Sequence, residues 1–281
     1  MGLPMAMRLV DAGHHVAVWN RTAEKARPAV DRGAVMATSP GRAAAGAEAI
    51  FTMLAGPEAL EEVLFGPGGV AEGLTPDSTL IEMSTVGPDT IGTVAERLLE
   101  GVEMLDAPVL GTVPQAEQGR LQVFTGGSEE TYARWVGVLE ALGTPKLLGP
   151  RGAGASMKLV VNSTLLALMT ALGEALALAD ALGLDQSEVL EVLADSPIGV
   201  PARSKRRNIE TEAYPPNFKL SLALKDAELV VQAGARRGVS LKVAAAAREW
   251  MEAAERAGLG GMDYSAVIAH ARRRPAKLPA P

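Results

Sequence analysis

MGLPMAMRLVDAGHHVAVWNRT, residues 1–22, is the stretch that decides the fold. Leu3 to Ala12 reads as a helix, Gly13 as its stop, and His15 to Asn20 as a strand of mostly apolar residues. Met1-Gly2 reads as the tail of a glycine-rich turn that feeds this helix. In an open α/β domain such a turn brings backbone N–H groups and a helix N-terminus onto a cofactor pyrophosphate. A strand normally runs into the turn, and here the sequence opens just after it. The expectation is that roughly ten residues carrying that strand precede Met1, lost through a misassigned start codon. The alternative is a fold that begins with a helix and binds no dinucleotide.

Working outward, AIFTML (49–54), TLIEMS (79–84), EMLDAPV (103–109) and LQVFTGG (121–127) read as further strands. TAEKARPAVDRG, PEALEEVLFG and PDTIGTVAERLLE read as the helices between them. Strand–helix alternation at this spacing predicts a parallel sheet with helices on both faces, and the apolar strand runs suit a sheet buried on both sides. After Gly149 the alternation stops. One helical pattern runs from Gly154 to Leu182, about 45 Å long at the standard rise. Further helices are expected near 186–195, 221–237, 241–257 and 264–273. The fold class is thus α/β, a Rossmann-type parallel-sheet domain without its first strand over residues 1–151, then an all-α domain over 152–281. The Arg/Lys/Pro tail from Arg272 reads as a frayed end.

Composition narrows the function. A formal net charge of −6 argues against a general nucleic-acid partner. With no cysteine there are no disulfides, thiolate metal sites or thiol nucleophiles, and a cytoplasmic location fits. His14, His15 and His270 are the only histidines, so a histidine metal site or a Ser-His-Asp triad has little to stand on, and no metal is expected. The longest uncharged run, Leu159 to Gly173, contains Asn162, Ser163 and Thr164 and reads as a buried helix rather than a membrane span.

Five segments in order resemble the β-hydroxyacid dehydrogenase family: residues 1–22, EMSTVGPDT (82–90), DAPVLGTVPQAEQGRL (106–121), GAGASMKLVVN (152–162) and FKLSLALKDAELV (218–230). The family includes 3-hydroxyisobutyrate dehydrogenase and glyoxylate/succinic semialdehyde reductase. The resemblance covers almost the whole chain. It implies hydride transfer between NADP(H), with NAD possible, and a small aldehyde/hydroxy-acid pair. It also implies catalysis by a lysine and association as a homodimer or homotetramer. Ala/Leu/Val-rich helices over 154–257, with more apolar surface than a small domain needs, agree with the last point.

The candidate catalytic pair is Lys158 and Asn162, one helical turn apart on the same face. A positioned ammonium can stabilise the oxyanion left by hydride addition and supply its proton, and the neutral amine reverses the step. Asn162 can bond the same oxygen or hold the lysine; KLVVN resembles the glyoxylate/succinic semialdehyde reductase branch. Met1 and Gly2 form the expected pyrophosphate turn. Asn20, Arg21 and Thr22 follow the second strand, where an NAD-specific fold carries an acid for the ribose hydroxyl. The amide, guanidinium and hydroxyl found here suit a 2′-phosphate, though Thr22 also reads as a helix cap. The resemblance places Thr85 near the nicotinamide, Met53 and Leu54 beside the cofactor, and Lys225 reaching back to it. Met53 and Leu54 equally suit a core, and Lys225-Asp226 an ordinary charge pair.

Residues 110–112 depart from the family pattern, in which a serine hydroxyl and the two following amides hold the substrate carboxylate. Leu110 replaces the serine, with Gly111 and Thr112 behind it as substrate-binding candidates. Thr112 is the expected substitute donor, and a larger or less polar substrate group beside Leu110 is the alternative. Two rival functions share the scaffold. Imine reductases resemble it but usually lack the lysine, and non-catalytic interaction proteins keep only the fold.

Overall fold

The computed structural model describes residues 1–273. The expectation for the tail from residue 274 onward lies outside the described residues. The contacts divide the chain into two units, Met1–Lys158 and Leu159 onward. The division falls inside the long helix rather than before it at 151/152.

The first unit opens with α1 (Gly2–Asp11), β1 (Ala17–Val18), a 3-10 turn (Ala23–Ala26) and α2 (Arg27–Val30), then β2 (Val35–Met36), α3 (Pro40–Ala44) and β3 (Ala49–Thr52). It continues with α4 (Pro57–Phe65), β4 (Thr79–Glu82), α5 (Pro88–Arg97), β5 (Glu103–Asp106) and β6 (Val109–Leu110). It closes with α6 (Val113–Glu117), β7 (Leu121–Gly126), α7 (Glu129–Glu140), β8 (Gly143–Gly149) and the first turns of α8 (Ala153–Ala181). α1 ends where expected: Gly13 takes φ +89, a left-handed conformation that costs glycine no Cβ clash.

The sheet is in two pieces. β1 and β2 form a parallel pair, and a six-stranded sheet runs β3-β4-β5-β7-β6 with β8 on β7. β3, β4 and β5 are parallel, the arrangement read from the alternation, while β7 lies antiparallel to β5. Every residue of β4 is buried, which explains its unbroken apolar start. β8 escapes a sequence reading because Pro145 and Lys146 interrupt it. Among the described residues it pairs with β7 alone, and an edge strand tolerates a proline. The helix expected over 22–33 shortens to the 3-10 turn and one turn of α2.

The start of α8 is pinned to this sheet. Asp106, fully buried at the end of β5, accepts hydrogen bonds from the Gly152 and Ala155 N–H groups, both at 2.7 Å. These donors belong to the first turn of the helix, which has no partner of its own. Two glycines make the approach possible. A Cβ on Gly154 would stand 2.1 Å from the Phe124 carbonyl oxygen, and one on Gly126 would stand 2.5 Å from Asp106 Oδ1.

The second unit packs the rest of α8 against α9 (Gln186–Ala194), α10 (Gly199–Thr211), α11 (Leu220–Arg236), α12 (Lys242–Ala254) and α13 (Ala266–Ala271). Leu166, Met169, Leu172 and Leu176 of α8 lie in its core with Leu220, Met251 and Ile268. Among the described residues, α8 is the one helix long and apolar enough to cross a membrane; 44% of its apolar window is buried, consistent with a core helix. α10 was not expected because its sequence is polar, with only a narrow apolar side led by Ala202 and Ile209. The frayed end expected from Arg272 is corrected: its guanidinium pairs with both Asp180 oxygens at 2.6 and 2.7 Å and donates to Gln186 at 2.7 Å.

Burial pushes the Asp106 carboxyl above the ordinary carboxylate range, against backbone N–H groups that favour its anion. The folded state then holds this proton more readily than the unfolded chain. The resulting contribution to stability is full at low pH and is lost as pH rises through the raised value. Asp106→Asn should flatten that part of the stability–pH curve, and Asp106→Ala should lower stability by about 2 kcal/mol through unsatisfied helix donors. Urea unfolding followed from the ordinary carboxylate range upward in pH checks both.

Candidate active site

The ends of β3, β4 and β5 stand in register, with Thr52, Glu82 and Asp106 side by side. All three are buried. The Glu82 carboxylate ties the loops that leave this edge. It accepts from the Thr52 hydroxyl and from the Ser84 N–H at 2.6 Å, and the Leu54 N–H donates to Ser84 Oγ at 2.8 Å. Met53-Leu54 and Ser84-Thr85 are therefore held as one surface. Sequence reasoning missed Glu82, although a charge in a doubly buried strand is a usable signal.

Met1 and Gly2 join that surface. A Cβ on Gly2 would lie 3.5 Å from Met53 Cβ. α1 starts at Gly2 with no side-chain cap, so its first N–H groups point out of the helix end without a local acceptor. Met1 is half-buried. Asn20, Arg21 and Thr22 sit together after β1, all exposed. Asn20 Nδ2 donates to the Thr22 carbonyl at 2.8 Å, closing a turn. Thr22 occupies the cap position of the 3-10 turn without a capping hydrogen bond from its side chain.

Residues 110–112 lie beyond β5. Leu110 pairs with Gln122 of β7, and its side chain is half-buried. Thr112, expected as a substitute donor, gives both its N–H (3.0 Å) and its hydroxyl to Gln115 Oε1. The T-x-x-Q spacing of a capping box was visible in the sequence and was not used.

Lys158 and Asn162 both lie on α8, one turn apart. Lys158 is half-buried; Asn162 is 1% exposed. Within the second unit, Asn162 Nδ2 donates to Asp226 Oδ2 of α11 at 2.7 Å. Lys225 Nζ approaches Asp226 Oδ1 at 2.5 Å. Lys225-Asp226 is thus more than a surface charge pair: Asp226 is 2% exposed and orients Asn162. This role escaped the sequence reading because no local pattern links residues 64 positions apart.

Comparison with known proteins shows the family. Residues 1–156 match the model of the NAD binding domain of 6-phosphogluconate dehydrogenase, and residues 152–271 that of the NAD-binding part of NADP-dependent 3-hydroxyisobutyrate dehydrogenase. The chain belongs to the β-hydroxyacid dehydrogenase family. Glyoxylate/succinic semialdehyde reductase 1 of Arabidopsis thaliana is 35% identical over 271 residues, covering 95% of this chain and 94% of that one. The 3-sulfolactaldehyde reductase of Escherichia coli K12 is 34% identical over 276 residues, covering 97% and 93%. A crystal structure of 3-hydroxyisobutyrate dehydrogenase from Salmonella typhimurium superposes with a TM-score of 0.86 at 26% identity, covering 96% of this chain and 95% of that one. This member of the family is an oxidoreductase that uses a nicotinamide cofactor on a small molecule.

Asp226→Ala should leave the Asn162 amide and the Lys225 ammonium without their shared acceptor. Breaking a buried charged contact of this kind costs about 3 kcal/mol. Guanidinium unfolding of the variant checks the loss, and Asp226→Asn should recover part of it.

Proposed function

We propose that this enzyme transfers a hydride between NADP(H) and a small carbonyl compound, an aldehyde of the size handled by the semialdehyde reductases it resembles, and the corresponding alcohol. The observation that carries the reading is Lys158 one turn from a buried Asn162 whose amide is anchored by Asp226. The residues present fit the cofactor. The uncapped α1 end and the bare Gly2 suit a pyrophosphate, which needs backbone N–H groups and close approach. Arg21 and the Thr22 hydroxyl suit a 2′-phosphate, and no acid stands beside them at Asn20. Met53, Leu54 and Thr85 would flank the nicotinamide side.

When bound, the cofactor supplies or accepts the hydride. The Lys158 ammonium stabilises the developing oxyanion and gives it a proton; in the other direction the neutral amine takes the alcohol proton. Asn162 orients the same oxygen. Retention of Lys158 favours carbonyl over imine reduction and favours an enzyme over a silent interaction protein.

We place assembly on the second unit. Val160, Leu178 and Leu182 expose more than half of their surface on or just after α8, with Val192, Val200 and Val243 on later elements. Such a surface supports a homodimer or homotetramer. The cysteine-free sequence supports the cytoplasm as the compartment.

Lys158→Ala should lower kcat by about 10²–10⁴-fold on an accepted aldehyde while cofactor affinity changes by less than about tenfold. Near-normal turnover would make the lysine structural. NADPH should bind more tightly than NADH by about 1–3 kcal/mol, and Arg21→Ala should remove most of the difference; fluorescence titration of both cofactors decides it. Light scattering at micromolar concentration should return a multiple of the chain mass.

A further inference from the structure

The loop after β5 carries information about the charge of the substrate. It leaves the carboxyl edge of the parallel strands, where open α/β sheets bind their ligands. An anionic substrate group held there needs charge-assisted donors. Apart from the backbone N–H groups of Gly111 and Val113, the loop does not present them. The side chain of Leu110 is apolar, and its backbone belongs to the ladder with β7. The Thr112 N–H and hydroxyl are both directed at Gln115 Oε1. That carbonyl oxygen is itself an acceptor and repels an anion. The following helix, α6, has only five residues, too short to lend a useful dipole.

The loop's own sequence, residues 107–119, has Glu117 and no lysine or arginine. Arg8 of α1 lies against Gly119, with its Nε donating to the Ala141 carbonyl at 3.1 Å. Arg120 is exposed and donates to Gln118. The loop is also held in this shape. Gly111 takes φ +144, and a Cβ there would meet Leu121 Cδ2 at 2.6 Å and Gln115 Cβ at 3.3 Å. The backbone is therefore packed between the buried Leu121 and the Gln115 side chain.

We propose that the substrate group seated against Leu110, Gly111 and Thr112 is uncharged, so that the enzyme takes neutral alkyl aldehydes and their alcohols in preference to carboxylated or sulfonated ones. This rests on the reading that the loop flanks the carbonyl compound reduced at Lys158. Leu110 supplies apolar contact for an alkyl group, and Gln115 removes the donors that would offset desolvation of an anion. Leu110 and Gln115 are then specificity-determining residues, with the loop selecting by its lack of a side-chain donor and the engagement of Thr112.

The test uses the full-length enzyme saturated with NADP⁺ and titrated calorimetrically with butyramide and with butyrate, which match in size and differ in charge. Butyramide should bind at least about tenfold more tightly, because an anion without charge-assisted donors loses its hydration uncompensated. The double variant Leu110→Ser/Gln115→Ala should raise butyrate affinity about tenfold and change butyramide affinity by less than about threefold. With NADPH, butyraldehyde should exceed succinic semialdehyde in kcat/KM by about tenfold or more in the unaltered enzyme, and the double variant should narrow that gap mainly through KM for the semialdehyde. Equal or tighter butyrate binding, or a preference for succinic semialdehyde, overturns the proposal while leaving the reductase reading intact. Failure to reduce either aldehyde overturns the reductase reading and this proposal with it.

Discussion

One buried carboxylate organises the first unit. Asp106 ends β5, stands in register with Glu82, and holds the N–H groups at the start of α8. A helix start set in a buried sheet edge needs an acceptor, since water cannot reach its orphan donors. The same residue begins the loop that carries Leu110 to Thr112. The direction of the helix bearing Lys158 and the departure of that loop are thus set from a single side chain. Gly126 and Gly154 have only hydrogen where a methyl would meet Asp106 or a backbone carbonyl, which makes the short distances possible.

A second carboxylate has a parallel task in the other unit. Asp226 takes the Asn162 amide hydrogen and a lysine ammonium, so the Asn162 oxygen is left as the acceptor end of a fixed amide. The Asn162 oxygen is buried and has no hydrogen-bond partner in the described protein. A buried polar atom without a partner is costly unless a ligand or a moving side chain completes it. An acceptor placed this way can take a hydrogen from a substrate hydroxyl or an ammonium, whereas a carbonyl oxygen would need the remaining Nδ2 hydrogen. Glu82 does comparable work at the ends of β3 and β4, where its carboxylate and the Ser84 hydroxyl lock two loops together.

These carboxylates are ordinary in type and unusual in burial. Each is placed where several donors converge, and each positions a neighbour instead of facing the substrate. Leu110 and Gln115 lie on a loop beyond this framework, where, among the described residues, the Gln115 side chain hydrogen-bonds only its neighbour Thr112. That separation lets one fold accept different small molecules.

Much of the architecture is legible from residues alone. Apolar runs of four to six residues between amphipathic helices, then a long unbroken helical pattern, specify an α/β unit followed by helices, because side-chain period is a local property. Lys158 and Asn162 become candidates through one-turn spacing and the family resemblance, and Asn20, Arg21 and Thr22 through following a strand; their roles remain proposals. β8 and α10 stay hidden because proline, lysine and arginine mask their periodicity, and tertiary pairing overrides it. Arg272 looks like the start of a tail until Asp180 is brought beside it from 92 residues away. The partners of the site residues are likewise unreadable in sequence: Asp106 with Gly152, and Asn162 with Asp226, lie 46 and 64 positions apart. Local pattern determines which residues can form a helix, strand or turn. Which buried donor meets which buried acceptor depends on distances that exist only once the sheet and helices are packed.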